Sequence, residues 1–420
     1  MKSRSQILVH SLLCGVFALS MGCASAAKEI TAPAEKASHG MRGQVMTGAD
    51  VLAADDFAML AGKRVGLITN HTGMLRDGTS LIDAMHASKN VKLVALFSPE
   101  HGIRGTEDEK VASTTDEKTG LPVNSLYGKT QKPSAEMLKD VDVLVFDIQD
   151  IGTRFYTYIG TMAKAMESAK ENGKKFVVLD RPNVIGGLHV EGAVPPKEQT
   201  GVNTSIFPIP TRHGMTVGEL ATLFNTDFAI GCDLEVVQMK NWSRGMYFDE
   251  TGLLWKNPSP NMKTVNGAIL YPGPGSLETT SISPARGTER PFEMYGAPYM
   301  DGLALANEMN SRNIPGIRWA TVDFTPTAQY HKFKGELCHG VYGIIYDRDA
   351  LDSVGAGLHL AQAMQKLYPE KFTADGGFKG ETGSPLTWEQ LKTMTPEQIE
   401  NSWKPELDKF MAMRKKCLLY

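Results

Sequence analysis

Cysteine is scarce in this sequence, with five residues in 420, and two of them, Cys14 and Cys23, lie near the start. The other three, Cys232, Cys338 and Cys417, are too few and too widely spaced for a disulfide framework, although a single bridge stays open. No CxxC or Cys/His spacing suits a structural zinc, HExxH is absent, and no GxGxxG follows the first apolar run. Zinc-finger, zincin and dinucleotide-binding readings therefore have no motif behind them. An excess of one charge is missing too. The formal net charge is −3, from 44 basic and 47 acidic residues without a Lys/Arg run, which argues against nucleic acid as a partner and against electrostatic attachment to a membrane. No fixed-period repeat is present. What is there is an ordinary globular composition, able to bury a large core.

Lys2 and Arg4 precede a mostly apolar run from Ile7 to Met21, and Ala24-Ser25-Ala26 offers an A-x-A cleavage site before Ala27. This is the pattern of a secretory signal peptide over residues 1–26, too short and wrongly flanked for a membrane span. A second reading stays open: Leu19-Ser20-Met21-Gly22-Cys23 resembles a degenerate lipobox, with Ser20 where Leu is usual, and would make the chain a lipoprotein anchored through Cys23. Either reading predicts an exported protein, periplasmic or extracellular, whose only membrane contact is that anchor. Residues 27–43, rich in Ala, Lys, Glu and Pro, read as a linker.

From there the chain alternates apolar runs with helical patterns. Arg64–Thr69, Val91–Phe97, Val141–Asp147 and Phe176–Asp180 read as buried strands, and Leu81–Ala87 and Ile159–Asn172 as helices. Continuous apolar strands separated by helices imply a mostly parallel sheet covered on both faces, a doubly wound, Rossmann-like α/β domain over residues 44–266. After the turn-rich Tyr271-Pro272-Gly273-Pro274-Gly275 the texture changes. Strand patterns at Arg318–Phe324 and Gly340–Tyr346, with helices at Met300–Ser311 and Gly355–Leu367, predict a smaller α+β domain over residues 267–420 that completes a cleft.

In an open α/β sheet, ligands bind beyond the carboxyl ends of the strands. Here those ends carry Thr69-Asn70-His71, Ser98-Pro99-Glu100-His101-Gly102, Asp147-Ile148-Gln149-Asp150 followed by Arg154, Tyr156 and Tyr158, and Asp180-Arg181-Pro182-Asn183. Four polar segments converging on one rim point to an active site. Further polar clusters are Pro208–Thr216, with Arg212 and His213 ahead of a helix that has Thr216 or Met215 near its N-cap and Glu219 in its first turn, the loop Pro258–Met262 with Asn261, and Arg286–Phe292 behind Glu278.

These segments carry a resemblance. SPEHGIRG (98–105), FDIQDIGTRFYTYI (146–159), LDRPN (179–183) with IGG (185–187) and VEG (190–192), PIPTRHGMTVGEL (208–220), PSPNM (258–262) and ARGTERPFEMYGAP (285–298) are similar to the successive signatures of the NamZ family of exo-β-N-acetylmuramidases. The chain departs from that pattern at Val184, where Pro is usual, at Lys263, also usually Pro, and at Glu278-Thr279-Thr280-Ser281, where EGTN is common. The resemblance implies a cleft between the two domains and release of N-acetylmuramic acid from the non-reducing ends of peptidoglycan-derived glycan fragments, in cell-wall turnover or recycling. No cofactor or metal is expected.

Glycoside hydrolysis usually needs one carboxylic acid to protonate the leaving oxygen and a second carboxylate as nucleophile or base. Glu100, in its Pro-Glu-His-Gly turn, is the first candidate; the bland alternative is that it caps the turn. Asp147, Asp150 and Glu278 are candidates for the second carboxylate, with Glu278 facing Glu100 across the cleft, while Asp147 fits loop fixation equally well. His101 reads as a substrate ligand or a neighbour that tunes Glu100. Asp180, Arg181, Asn183, His213 and Asn261 read as substrate ligands, Asp180-Arg181 alternatively as an internal ion pair. Arg154, Arg212 and Arg286 are candidates for gripping the lactyl carboxylate of muramic acid with a two-bond fork. Tyr156 and Tyr158 fit stacking on a sugar face or ordinary cleft-wall packing. Two other classes remain: a metal-dependent amidase or deacetylase using His71, His101, Asp147 and His213, and a non-catalytic peptidoglycan-binding protein.

Overall fold

A computed structural model describes residues 43–103, 114–128, 130–329, 331–374 and 390–420. The signal-peptide, lipid-anchor and linker expectations fall on residues 1–42, outside the described residues, save for Gly43. Gly43–Tyr420 is one compact unit containing two sheets.

The larger sheet has strands β1 (Arg64–Thr69), β2 (Lys92–Ser98), β3 (Thr114–Thr115), β4 (Pro122–Ser125), β5 (Val143–Asp147), β6 (Lys175–Leu179) and β7 (Asp233–Val237), in the order β3-β4-β2-β1-β5-β6-β7. All neighbours run parallel except β3 against β4. Helices α1 (Gly48–Ala53), α2 (Leu81–Ala87), α3 (Tyr158–Glu171) and α4 (Val217–Thr226) cover it. The strand period of two explains how. Val65, Leu67, Val143, Val145, Val177 and Leu179 share one core with Leu52 of α1 and Leu81 and Met85 of α2. Ile68, Leu144, Phe146, Phe176 and Val178 point the other way, into a core with Ile159 and Met162 of α3 and Leu220 and Phe224 of α4. Apolar residues on both faces are what made these strands read as continuous hydrophobic runs. Gly66 interrupts β1 because Phe97 lies over it, 2.9 Å from where a Cβ would sit.

The second sheet is antiparallel, β8 (Met294–Ala297), β10 (Cys338–Ile345) and β9 (Ile317–Phe324) in spatial order, packed with α6 (Gly302–Ser311) and α7 (Ser353–Leu367); α5 (Val265–Leu270) leads into it. Its core is continuous with the α3/α4 side of the large sheet, through Phe292, Tyr295, Trp319 and Val341. The doubly wound α/β class with a smaller α+β part is thus as the sequence predicts. The chain end was not foreseen. A helix Pro396–Cys417 returns along α4 and α7, and the last two residues are tied to the first sheet's layer. Leu419 N–H donates to Glu219 at 2.9 Å, and Tyr420 Oη donates to Asp180 at 2.7 Å while accepting from Met239 N–H at 2.8 Å. Cys232, Cys338 and Cys417 are buried and free, so no bridge joins them.

Candidate active site

The strand order reverses at β1: β2 lies on one side of it and β5 on the other, which opens a crevice at their carboxyl ends. The loops there are stitched to one another. Asn70 Oδ1 accepts from the N–H and hydroxyl of Thr72, Thr72 Oγ1 accepts from Gln149 N–H at 3.0 Å, and the Gln149 amide donates to Pro182 O at 2.7 Å. A side chain at position 73 would collide with Thr69 Oγ1, so the turn after β1 needs its glycine.

Glu100 sits two residues past β2, in a turn closed by Gly102 N–H to Pro99 O at 3.2 Å. His101 (φ +67°) and Gly102 (φ +71°) both adopt left-handed backbone, sparsely populated for His, a local strain of the kind found where a side chain must be aimed. Thr157, the residue before α3, makes no cap bond to its own helix; its hydroxyl donates to Glu100 Oε2 at 2.5 Å. Tyr127, half-buried, is pushed up to about 12 by burial and by the neighbouring Glu100 carboxylate, so it stays a phenol that can donate. Tyr156 and Tyr158 meet edge to face, 5.0 Å between ring centres. Both are raised by burial first, and both feel the charges of Glu100 and Asp150. Tyr158 Oη donates to Pro258 O, which fixes the Pro258–Met262 loop against this cluster.

Asp150 is buried, which pushes its carboxyl up to about 7 against the N–H groups of Gly152 and Ile151. His213 lies behind it, fully buried, its Nε2 3.9 Å from Asp150 Oδ2, and burial together with the charges of Arg414 and Arg154 lowers it to about 3. Met215 N–H donates to His213 Nδ1 at 3.2 Å, which leaves the ring proton on Nε2, facing Asp150. His71, next to the His101 turn, donates from Nε2 to Asn257 O at 2.7 Å and is lowered by burial.

Other residues expected at the rim belong to the scaffold beneath it. Arg181 does not pair with Asp180. It forms a two-bond fork with Asp147, at 2.6 and 2.8 Å, and the burial of that pair raises Asp147. Asp180 accepts from Arg181 N–H, Gly218 N–H, Thr216 Oγ1 and Tyr420 Oη; burial is the main cause that pushes it up to about 6. It thereby supports α4, whose N-cap Thr216 and Glu219 form the expected capping box. Asn183 donates to Met215 O and accepts from Ile185 N–H. Arg212 is fully buried, donating to Glu191 at 2.5 Å and to Ile185 O. Arg154 is also fully buried, with Nη1 on Thr204 O at 3.1 Å. These groups are too enclosed and too committed to meet a sugar, so the substrate-ligand expectation for Asp180, Arg181, Asn183 and Arg212 is corrected to a structural one.

From the other half, Arg286 forks onto Glu278 at 2.8 and 3.0 Å and lies over the Phe292 ring. Asn261 Oδ1 accepts from Gly287 N–H at 2.7 Å. Ring contacts run Tyr156–Tyr271–Phe292, so the Glu278–Arg286 pair is linked to the Glu100 cluster by packed aromatics. Among the described residues, no three His, Cys, Asp or Glu side chains come together in a way that would hold a metal ion; Asp147 faces Arg181 and His213 faces Asp150. Sequence reasoning missed Tyr127 and Thr157. Thr157 stood inside a quoted motif; Tyr127 had no local signal.

Two family models match, the N-terminal part of exo-β-N-acetylmuramidase NamZ over residues 65–266 and its C-terminal part over residues 269–420. The chain is 47% identical over 393 residues to the peptidoglycan β-N-acetylmuramidase NamZ of Bacillus subtilis strain 168, covering 92% of this chain and 94% of that one. The chain belongs to the NamZ family. It is accordingly a glycoside hydrolase. Two crystal structures of DUF1343 family proteins from Bacteroides fragilis NCTC 9343 share the NamZ-type fold found here: one at TM-score 0.82 and 40% identity, the other at 0.74 and 31%, each covering 90% of this chain and 99% of its own.

Proposed function

We propose that this chain is an exo-acting muramidase that releases N-acetylmuramic acid from the non-reducing ends of peptidoglycan fragments, outside the cytoplasm. The observation that carries the reading is the near full-length similarity to a peptidoglycan β-N-acetylmuramidase. The site is compatible with it. Glu100 is aimed by a strained turn, held by Thr157, and lies beside phenols that stay protonated. In this reading Glu100 gives its proton to the leaving glycosidic oxygen. Asp150, whose charge is felt by Tyr156, and Glu278, held by Arg286, are the carboxyls available for the second role. Tyr156 and Tyr158 are buried, so their part is packing beside Glu100 rather than stacking on a sugar. The leader over residues 1–26 supports the location.

Incubation with defined, stem-free glycan fragments followed by mass spectrometry tests this. Free N-acetylmuramic acid with a fragment shorter by one sugar is expected. Products cut internally, or intact fragments, would refute the exo-muramidase reading. Cell fractionation with N-terminal sequencing tests the location; a chain still beginning at Met1 in the cytosol refutes it.

A further inference from the structure

Two hydroxyls converge on Glu100, and the strand register explains how one of them gets there. β2 and β4 run parallel with Ser98 opposite Ser125, and Leu126 N–H donates to Ser98 O at 2.8 Å. Glu100 and Tyr127 each stand two residues beyond that matched pair, at the carboxyl ends of neighbouring strands, which lie about 4.8 Å apart. Tyr127 N–H donates to Ser125 Oγ at 3.4 Å, and its phenol hydrogen-bonds the Glu100 carboxylate. From the start of α3, Thr157 Oγ1 donates to Glu100 Oε2 at 2.5 Å. Glu100 and Tyr127 are both half-buried, so both are reachable from solvent.

Tyr156 and Tyr158 feel the Glu100 charge without bonding to it, and Tyr158 Oη donates to Pro258 O instead. Helix α3 is 14 residues long, has no acidic residue in its first turn and takes no cap bond from the Thr157 side chain. Its positive end therefore has no carboxylate of its own, and the Thr157 hydroxyl ties Glu100 to it. A donated hydrogen bond favours the charged form of a carboxyl. A general acid starts neutral: its O–H bond breaks, the proton joins the glycosidic oxygen, and the electron pair stays on the carboxyl. Donors to that carboxyl strengthen as the proton leaves, so they help the transition state more than the ground state. Burial keeps Tyr127 a phenol, so its own proton stays in place to do this.

We infer that Tyr127 is a positioning residue for the hydrolysis: with Thr157 it forms a pair of hydroxyl donors that clamps the Glu100 carboxyl between the ends of β4 and α3 and stabilises the carboxylate left when the proton passes to the leaving oxygen. The inference rests on the muramidase reading of the chain, with Glu100 as its acid. The other titratable groups around Glu100 are Tyr156 and Tyr158, Asp150, whose charge the same two tyrosines feel, His101 next to it in the chain, and His71, which feels His101; the test alters none of them.

Tyr127→Phe keeps the ring and removes the donor. On stem-free glycan ends it is expected to lower kcat by about ten- to a hundredfold, the range for losing a hydrogen bond to a charged group, with little change in KM. The loss is expected to be smaller on an aryl β-glycoside of N-acetylmuramic acid with a good leaving group. The alkaline limb of kcat/KM is expected to move to higher pH, because a carboxyl that loses a donor to its charged form keeps its proton longer. Thr157→Val is expected to move the limb the same way. In a Glu100→Gln background, Tyr127→Phe is expected to cost nothing further on the aryl glycoside. Should Tyr127→Phe fail to fold, site-specific 3-fluorotyrosine in place of Tyr127 keeps ring and hydroxyl, makes the phenol a stronger donor and is expected to move the limb to lower pH. Carboxyl ¹³C NMR titration, with the Glu100 signal assigned by its absence in Glu100→Gln, reads the same shifts without turnover. An unmoved limb and titration midpoint in these proteins, or an equal loss from Tyr127→Phe in the Glu100→Gln background, overturns the proposal. Failure of the unaltered protein to cleave either substrate refutes the muramidase reading instead, while the NMR titration still decides the clamp.

Discussion

Replacing Glu100 by Gln keeps the size of the side chain and an oxygen for the Thr157 hydroxyl, which donates to Glu100 Oε2 at 2.5 Å. The turn itself rests on the Gly102 N–H to Pro99 O bond and on backbone conformation, neither of which the change touches. The fold and sugar binding should therefore survive. What is lost is the proton for the leaving oxygen. General acid–base help is worth about 10²- to 10⁴-fold, or about 2.7–5.4 kcal/mol at 1.36 kcal/mol per decade, and the loss should fall on kcat. An aryl glycoside with a good leaving group needs little protonation, so on it Glu100→Gln should recover much of the rate, whereas loss of a nucleophile would not be rescued. A companion change, Thr157→Val, removes only the bond that orients the carboxyl. A hydrogen bond to a charged group is worth about 1.5–3 kcal/mol, so this variant should lose roughly ten- to a hundredfold in kcat, with the melting temperature nearly unchanged because Thr157 makes no cap bond to α3. Steady-state kinetics on stem-free glycan ends and on the aryl glycoside, with circular dichroism as the folding control, make the measurement. Near-normal kcat for Glu100→Gln on both substrates would refute the reasoning, make the turn structural, and move the acid to Asp150 or Glu278.

Arg212→Ala should cost about 3–5 kcal/mol in urea unfolding, because it leaves Glu191 as an uncompensated buried charge; an intact stability with a selective rise in KM for muramic-acid substrates would return Arg212 to substrate recognition. Deleting Leu418–Tyr420 should lower the melting temperature measurably, since it strips the Leu419 bond from Glu219 and the Tyr420 bonds from Asp180 and Met239; an unchanged melting curve would show the chain end to be ornamental. Asp150 is buried and pushed up to about 7, by that burial first. A carboxyl raised in the folded state stabilises it fully below the unfolded value of about 4, and that contribution is lost as pH rises to about 7. Asp150→Asn keeps an acceptor for Gly152 N–H and should flatten the decline of stability between those values; an identical pH profile would contradict the assignment.

The sequence by itself determined the class of fold and the existence of the rim. Strands such as Val143–Asp147 are apolar on both faces because helices cover both faces, and that demand is written residue by residue, without reference to distant neighbours. The Thr216/Glu219 cap was legible for the same reason, being closed within four residues. The Pro-Glu-His-Gly turn marked Glu100, since its chemistry and its backbone demand sit together in the chain. Only the tertiary structure decided which polar residues face the substrate. Asp147 and Arg181 are 34 positions apart and Asp180 and Tyr420 are 240 apart, yet each pair meets in the interior, where burial commits both partners to one another. Tyr127 reaches Glu100 from a different strand's end, which no spacing could announce.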